Sequence, residues 1–223
     1  SGFEGNYNLS VIVDKSIVTR PEIINITATL SSFSEPVNAN LIVFTDLTTG
    51  ENIGQALTNY LGNASIQYSI NNSHIVGPHI IEARFDLLTM GLTIISILGD
   101  IEVNLTAVYP TEVNRSDIYP DIVNIQGFLF DPINGKKIIN GNIDIILFFA
   151  GTNTIAAAAL FPSTLITNEN GIFTGNLEVN PTVPLGQYEV RADFNGTWYI
   201  YEFPFYIPMI SDSSERRELL ITS

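Results

Sequence analysis

Apolar residues recur at every second position through much of this chain. Between 184 and 195, Tyr188, Val190, Ala192 and Phe194 alternate with Glu189, Arg191 and Asp193. A period of two predicts a strand with one buried and one wet face. The same pattern predicts strands at 8–14, 23–30, 39–46, 63–70, 123–130, 142–149, 171–179 and 198–207. Turn formers punctuate them, as in "TTGEN", "DPINGKK", "NENG" and "FNGT". No segment sustains a helical period over three turns. Short strands at this density predict an all-β chain of antiparallel sandwiches.

The pattern also repeats. "GPHIIEARFD" (77–86) aligns with "GQYEVRADFN" (186–195), an offset of 109, and "PEIINITATL" (21–30) aligns with "PDIVNIQGFL" (120–129), an offset of 99. Preserved order and spacing predict tandem domains, with about ten residues gained in the second copy. The gain is expected at 131–142 or 151–160. Two tandem antiparallel β-sandwiches are expected, at 1–106 and 107–210, with 211–223 a linker or docking tail.

"DPINGKKIINGNIDIILF", "TNENGIFTGNLEV" and "PLGQYEVRADFNG" resemble the immunoglobulin-like or prealbumin-like repeats of many prokaryotic surface proteins. The resemblance covers residues 110–207; the first half lacks the "NGKKI" turn and the "NGIF" step. It implies an extracellular module used as a spacer, adhesin, lattice subunit or sugar-binding unit, and says little about activity.

Composition narrows the partners. The chain of 223 residues has 23 Asp and Glu against 9 Lys and Arg, a net charge of −14. Residues 1–105 carry 3 basic and 10 acidic side chains, and residues 106–223 carry 6 and 13, so each part stands at −7. Neither offers a basic face for a phosphate backbone, which argues against nucleic acid. There are 32 Ile and 22 Asn but only 3 Lys, and charged residues are 14%. Solubility therefore leans on amides and hydroxyls. An acidic, Lys-poor chain fits an archaeal source. No Cys is present, which excludes disulfides and thiolate chemistry. The longest apolar stretch, residues 87–98, is too short to span a bilayer, so no membrane span is expected in this segment, which is read as secreted or as part of a longer anchored protein.

Candidate chemistry is sparse. Sequons stand at Asn8, Asn25, Asn63, Asn71, Asn104, Asn114 and Asn195; glycans there would solvate a surface of low charge, while an Asn- and Thr-rich chain also produces sequons by composition. No nucleophile elbow, zinc-binding His pair or phosphate loop occurs, and no enzyme activity is expected. His79 occupies the slot of Tyr188 and reads as a packed strand residue; His74 lies five residues before it. "ITNENGIFTGNLE" (166–178) lacks both key carboxylates of a calcium loop. No cofactor is expected beyond a calcium ion at Asp100, Glu102 and Asp117. Alternation through "TWYIYEFPFY" places Tyr199, Tyr201, Phe203 and Phe205 on the core side and Trp198 outside, able to stack on a sugar or a neighbouring domain. "LLTMGLTIISIL" (87–98) and "TIAAAALF" (154–161) exceed what a half-exposed strand needs, and the small side chains of Ala156–Ala159 would admit a close second surface. The expected function is a structural module of a surface layer, filament or stalk that contacts copies of itself or other surface proteins. The alternative is an adhesin or carbohydrate-binding module that takes glycans on exposed aromatics.

Overall fold

The computed structural model describes residues 6–115, 121–156, 160–208 and 213–222. The described residues hold strands and turns without a helix, and the chain divides into two compact units, residues 1–98 and 99–223. Each unit is an immunoglobulin-like β-sandwich.

The first unit contains β1 (Tyr7–Val13), β2 (Ile17–Thr19), β3 (Glu22–Ser32), β4 (Glu35–Pro36), β5 (Leu41–Asp46), β6 (Glu51–Leu57), β7 (Asn63–Ile70), β8 (Gly77–Arg84) and β9 (Met90–Leu98). One sheet joins β1, β3, β4 and β7; the other runs β2-β9-β8-β5-β6. Inward positions of both sheets interleave Ile24, Ile26, Leu30, Ile42, Phe44, Ile81, Ile95 and Ile97 into a core closed to water. β-branched and aromatic side chains suit this pleated, half-buried setting. Pairing is antiparallel except between β2 and β9, which run parallel from Ile17↔Ser96 to Thr19↔Leu98.

The second unit contains β10 (Glu102–Tyr109), β11 (Glu112–Asn114), β12 (Ile122–Phe130), β13 (Gly141–Phe149), β14 (Leu160–Phe161), β15 (Thr164–Ile166), β16 (Ile172–Val179), β17 (Gly186–Ile200), β18 (Phe203–Tyr206) and β19 (Ser213–Thr222). Its sheets run β10-β12-β16-β14 and β11-β19-β17-β13-β15, with β18 also paired to β17. Again one terminal pair is parallel, β11 with β19, from Glu112↔Leu220 to Asn114↔Thr222.

The register demonstrates the repeat. Ile24 faces Tyr68 across β3 and β7, and Val123 faces Leu177 across β12 and β16, at the two offsets read from the sequence. Asp46 faces Ile81 and Leu147 faces Val190, so the offset is still 101 there. It has reached 109 by Asn63 and Ile172, so most of the gained residues lie between β13 and β16, in the segment that contains 151–160.

Three expectations shift. β10 crosses the expected boundary at 106/107 but pairs along its length with β12, so it belongs to the second unit. Residues 213–222, expected as a linker or docking tail, are the last strand of that unit, pairing with β17 from Gly186↔Ile221 to Phe194↔Ser213. Arg216 and Glu218 take the wet face, Glu215 and Arg217 bond to the backbone of Leu105 in β10, and Leu219 and Ile221 enter the core. The stretch 198–207 is not one strand: the chain reverses at Tyr201 and Glu202, whose φ angles of 49° and 68° form a two-residue hairpin turn. An added hairpin, β17–β18, thus separates β19 from its expected place.

Candidate functional site

Three buried polar residues of the first unit, Asp46, His74 and His79, converge on one cluster. Asp46 continues the inward phase of Ile42 and Phe44 along β5, so strand alternation drives a carboxylate into the core. It is fully buried, as is His79 on the neighbouring β8. Asp46 Oδ2 lies 2.6 Å from His79 Nδ1 and accepts from the Tyr68 hydroxyl at 3.2 Å. Asp46 Oδ1 accepts from the Thr48 N–H at 2.9 Å. On the far side of the ring, His79 Nε2–H donates to the Ile75 carbonyl at 2.8 Å. Tyr68 also donates to Glu51 Oε2 (3.1 Å), which lies 3.2 Å from His74 Nε2. The Asn71 N–H donates to His74 Nδ1 at 3.0 Å, and Arg20 caps the His74 carbonyl at 2.7 Å.

Burial opposes ionisation of Asp46 most strongly, but the His79 hydrogen bond and charge, with the Thr48 N–H, outweigh it and hold the carboxyl below its ordinary range. Burial first, then the charges of Asp46 and Glu51, push the Tyr68 phenol well above its ordinary value. The cluster can retain a proton between Asp46 and His79. It contains no activated nucleophile, because its hydroxyl is held protonated and the Asp46 carboxylate is engaged by three donors.

The second unit is an internal control. By register, Leu147 stands where Asp46 does, Leu177 replaces Tyr68, Val183 replaces His74 and Tyr188 replaces His79. The Tyr188 hydroxyl donates to the Pro184 carbonyl at 2.5 Å. Like His79, it reaches back to the carbonyl four residues upstream, the tyrosine-corner contact of immunoglobulin-type sandwiches. One fold thus carries the same corner twice, once in an ionic setting and once in an apolar one. His79 is the packed strand residue expected of it, with a partner the sequence reading missed. The available signal was Asp46 itself, an acid in phase with core residues.

The turns repeat as faithfully. In the second unit Asn168 Oδ1 accepts from the Asn170 and Ile172 N–H groups, at 2.9 and 3.1 Å. In the first unit Asn59 Oδ1 accepts from Leu61 and Asn63, at 2.9 and 3.0 Å. Gly62 and Gly171 close these turns at φ of 77° and 69°, so "NYLG" is the first-half counterpart of "NENG". Asn71 accepts from both the N–H and hydroxyl of Ser73, and Asn180 accepts likewise from Thr182.

These contacts recast the sequons. Asn8, Asn25, Asn63, Asn104 and Asn195 lie in strands, and their middle residues Leu9, Ile26, Ala64, Leu105 and Gly196 are buried. An alternating strand with Asn and Ser or Thr outside writes Asn-x-Ser/Thr by itself. Asn71-x-Ser73 is a turn whose counterpart, Asn180-Pro181-Thr182, has proline in the middle. Asn8, Asn25, Asn71, Asn114 and Asn195 are exposed, and Asn63 and Asn104 half-buried. Asn25 Nδ2 donates to Asp14 at 2.6 Å and Asn195 Nδ2 to Asp144 at 3.0 Å, bonds that a glycan on those amides would disturb. Burial, the largest effect, raises the Asp144 carboxyl above its ordinary range.

Trp198 corrects the stacking expectation. It is 3% exposed and packs edge-on against Phe194, with ring centroids 4.8 Å apart. The phase of Tyr188, Val190, Ala192 and Phe194 continues unbroken to 198 along β17. The exposed rings are Tyr201 (71%), Phe203 (74%) and Tyr206 on the added hairpin, two of them on positions expected to face the core. Asp100 and Glu102 are exposed and line one shallow depression with Pro132, Ile133 and Ser213. Asp117 lies outside the described residues, as do Ala157, Ala158 and Ala159. Among the described residues no three His, Asp or Glu side chains converge as metal ligands.

No protein-family model and no curated protein sequence matches the chain. Among solved structures, a tetra-tandem repeat from the extending region of a large adhesion protein aligns over 97% of this chain at 16% identity and a TM-score of 0.45; the chain spans 49% of it. The D0–D1 domain of intimin aligns over 96% of this chain and 97% of its own length, at 15% identity and a TM-score of 0.34. Alpha-2-macroglobulin of Escherichia coli aligns over 97% of this chain and 20% of its own, at 10% and 0.37. The fold class of the chain rests on its own strand order rather than on these likenesses.

Proposed function

We propose that this chain is a non-catalytic, extracellular structural module, a load-bearing segment of a surface layer, filament or stalk. The parallel terminal pairs carry this reading. When the ends of the first unit are drawn apart, β1 is loaded first, and once it has come away from β3 tension enters β2 from its N-terminal side while it enters β9 from its C-terminal side. Parallel neighbours are then pulled in opposite directions along their axes, so Ile17–Thr19 and Ser96–Leu98 resist together in shear instead of unzipping bond by bond. β11 and β19 repeat the arrangement. The resemblance of residues 110–207 to surface-protein repeats supports the same reading, as does a wet surface rich in amides and hydroxyls.

Single-molecule stretching from the two ends tests it. Two separate high-force unfolding events are expected, with contour gains of about 30 and about 40 nm for the two units, given roughly 3.5 Å per extended residue. Units that yield at forces no higher than a bundle of helices under equal loading would refute it.

A second reading, an adhesin or glycan-binding module, is favoured by the exposed Tyr201, Phe203 and Tyr206. It moves the candidate surface from Trp198 to the β17–β18 hairpin. Glycan-array binding abolished by Phe203→Ala would support it; an array without signal would remove it.

A further inference from the structure

The outward face of the β6-β5-β8-β9 sheet in the first unit is largely apolar where a sandwich normally meets water, with Thr45, Asn52 and Gln55 its uncharged polar members on β5 and β6. Leu41, Val43, Ile80, Met90, Leu92 and Ile94 occupy outward positions there, with Met90 51% and Leu92 46% exposed. The equivalent face of the second unit shows what the fold does with a solvated sheet. By register Val43 corresponds to Asp144, Ile80 to Glu189, Leu92 to Arg216 and Ile94 to Glu218. There Arg216 pairs with Glu189 at 3.0 Å and Arg191 with Asp193 at 2.8 Å. Two copies of one sheet, on one backbone, thus differ at matched positions by apolar for charged. Core packing does not account for this, because these side chains point away from the core. Apolar faces left to solvent mark contact surfaces.

Charge identifies the occupant. The chain carries −14, so two copies repel one another across most of their surfaces. On the outward positions of β5, β8 and β9 the only charged side chains are Glu82 and Arg84. They neutralise one another through paired hydrogen bonds of 2.9 and 2.6 Å. The two lie on one strand two residues apart, so a two-fold axis near β8 would set Arg84 of each copy over Glu82 of the other. A neutral, self-complementary face on an acidic chain is suited to a second copy of itself.

We propose that the chain self-associates as an isologous dimer through this face of the first unit. The proposal deepens the structural reading and rests on it. Strand spacing of about 4.8 Å and a rise of about 3.3 Å per residue give the face roughly 500 Å² per copy, toward the small end of specific interfaces. Association is therefore expected in the micromolar range, reinforced when chains lie side by side in an assembly.

Sedimentation velocity on the whole chain, from about 1 to about 500 μM, tests the proposal. A concentration-dependent dimer is expected. Leu92→Asp is expected to weaken it at least roughly tenfold with circular dichroism unchanged, as is Ile94→Lys. Arg84→Glu sets like charges across the axis, so its defect should shrink at high salt. Phe203→Ser, on the second unit's hairpin, should leave the dimer intact. A monomer throughout the range overturns the proposal, as does a dimer indifferent to Leu92→Asp and Ile94→Lys. A monomer that still shows two high-force events loses the interface and leaves the load-bearing reading standing. A dimer without those events does the reverse.

Discussion

Asp46 and His79 show how one position can be filled by two kinds of chemistry. The pair closes the first unit with a buried carboxylate–imidazole contact, and Leu147 with Tyr188 closes the second without one. Removing one member of a buried pair strands the other, at a cost of about 3–5 kcal/mol, whereas replacing both with fitting apolar groups is often neutral. Asp46→Leu should therefore destabilise the first unit by about 3 kcal/mol, and Asp46→Leu with His79→Tyr should recover most of that loss. Urea unfolding followed by far-ultraviolet circular dichroism measures both. The one tryptophan, Trp198, reports on the second unit, so its fluorescence transition should stay in place. A double variant as unstable as the single one would refute the equivalence. Acid gives a second test. The folded-state carboxyl of Asp46 is held below its ordinary value, so the unfolded chain takes up that proton first. The stability it contributes is whole above the ordinary carboxylate range, and is lost as pH falls through the lower folded value. The melting temperature of the first unit should fall below about pH 4, and the double variant should fall less steeply.

Among the elements, β17 departs furthest from its counterpart. β8 ends at Arg84, and the chain returns as β9 after a short turn; β17 runs on to Ile200 and folds back as β18. Its inward phase is continuous, which carries Trp198 into the core and leaves the rings of the hairpin outside. Trp198→Ala is then a cavity mutation, expected to destabilise the second unit by about 3–5 kcal/mol and to lower its denaturant midpoint. Phe203→Ala should change that stability by no more than about 0.5 kcal/mol. Reversed effects would show that the hairpin, not the tryptophan, supports the fold. The turn signal "FNGT" did not reverse the chain: Asn195 and Gly196 lie inside β17, and the reversal came at Tyr201 and Glu202, neither a usual residue for positive φ.

Across the whole molecule, duplication separates what the fold requires from what each unit adds. Both units keep the parallel terminal pair, the Asn-x-x-Gly turn and the corner contact to the carboxyl side of a preceding turn. They diverge on the outward face of the larger sheet, apolar in one and laced with ion pairs in the other. Shear resistance belongs to the shared part, so both units should show it under load. Self-association belongs to the divergent part, so it should map to the first unit alone.

Local pattern determined a good deal of this. Alternation of apolar and polar side chains is set by the pleat, so the all-β class and the repeat were legible in "GPHIIEARFD" and "GQYEVRADFN" without any contact being known. Residues whose role depends on distant neighbours were not legible. Whether 213–222 is a tail or a strand depends on the free edge of β17, and the added hairpin hid that edge in the sequence. Alternation counted afresh from the turn signal "FNGT" misplaces Trp198, because β17 runs straight through that signal and keeps its inward phase. The Asp46–His79 pair joins residues 33 apart in sequence, and the apolar face of the first unit gathers side chains from separate strands. Strand pairing brings such groups together, and only the tertiary structure decides which strands pair.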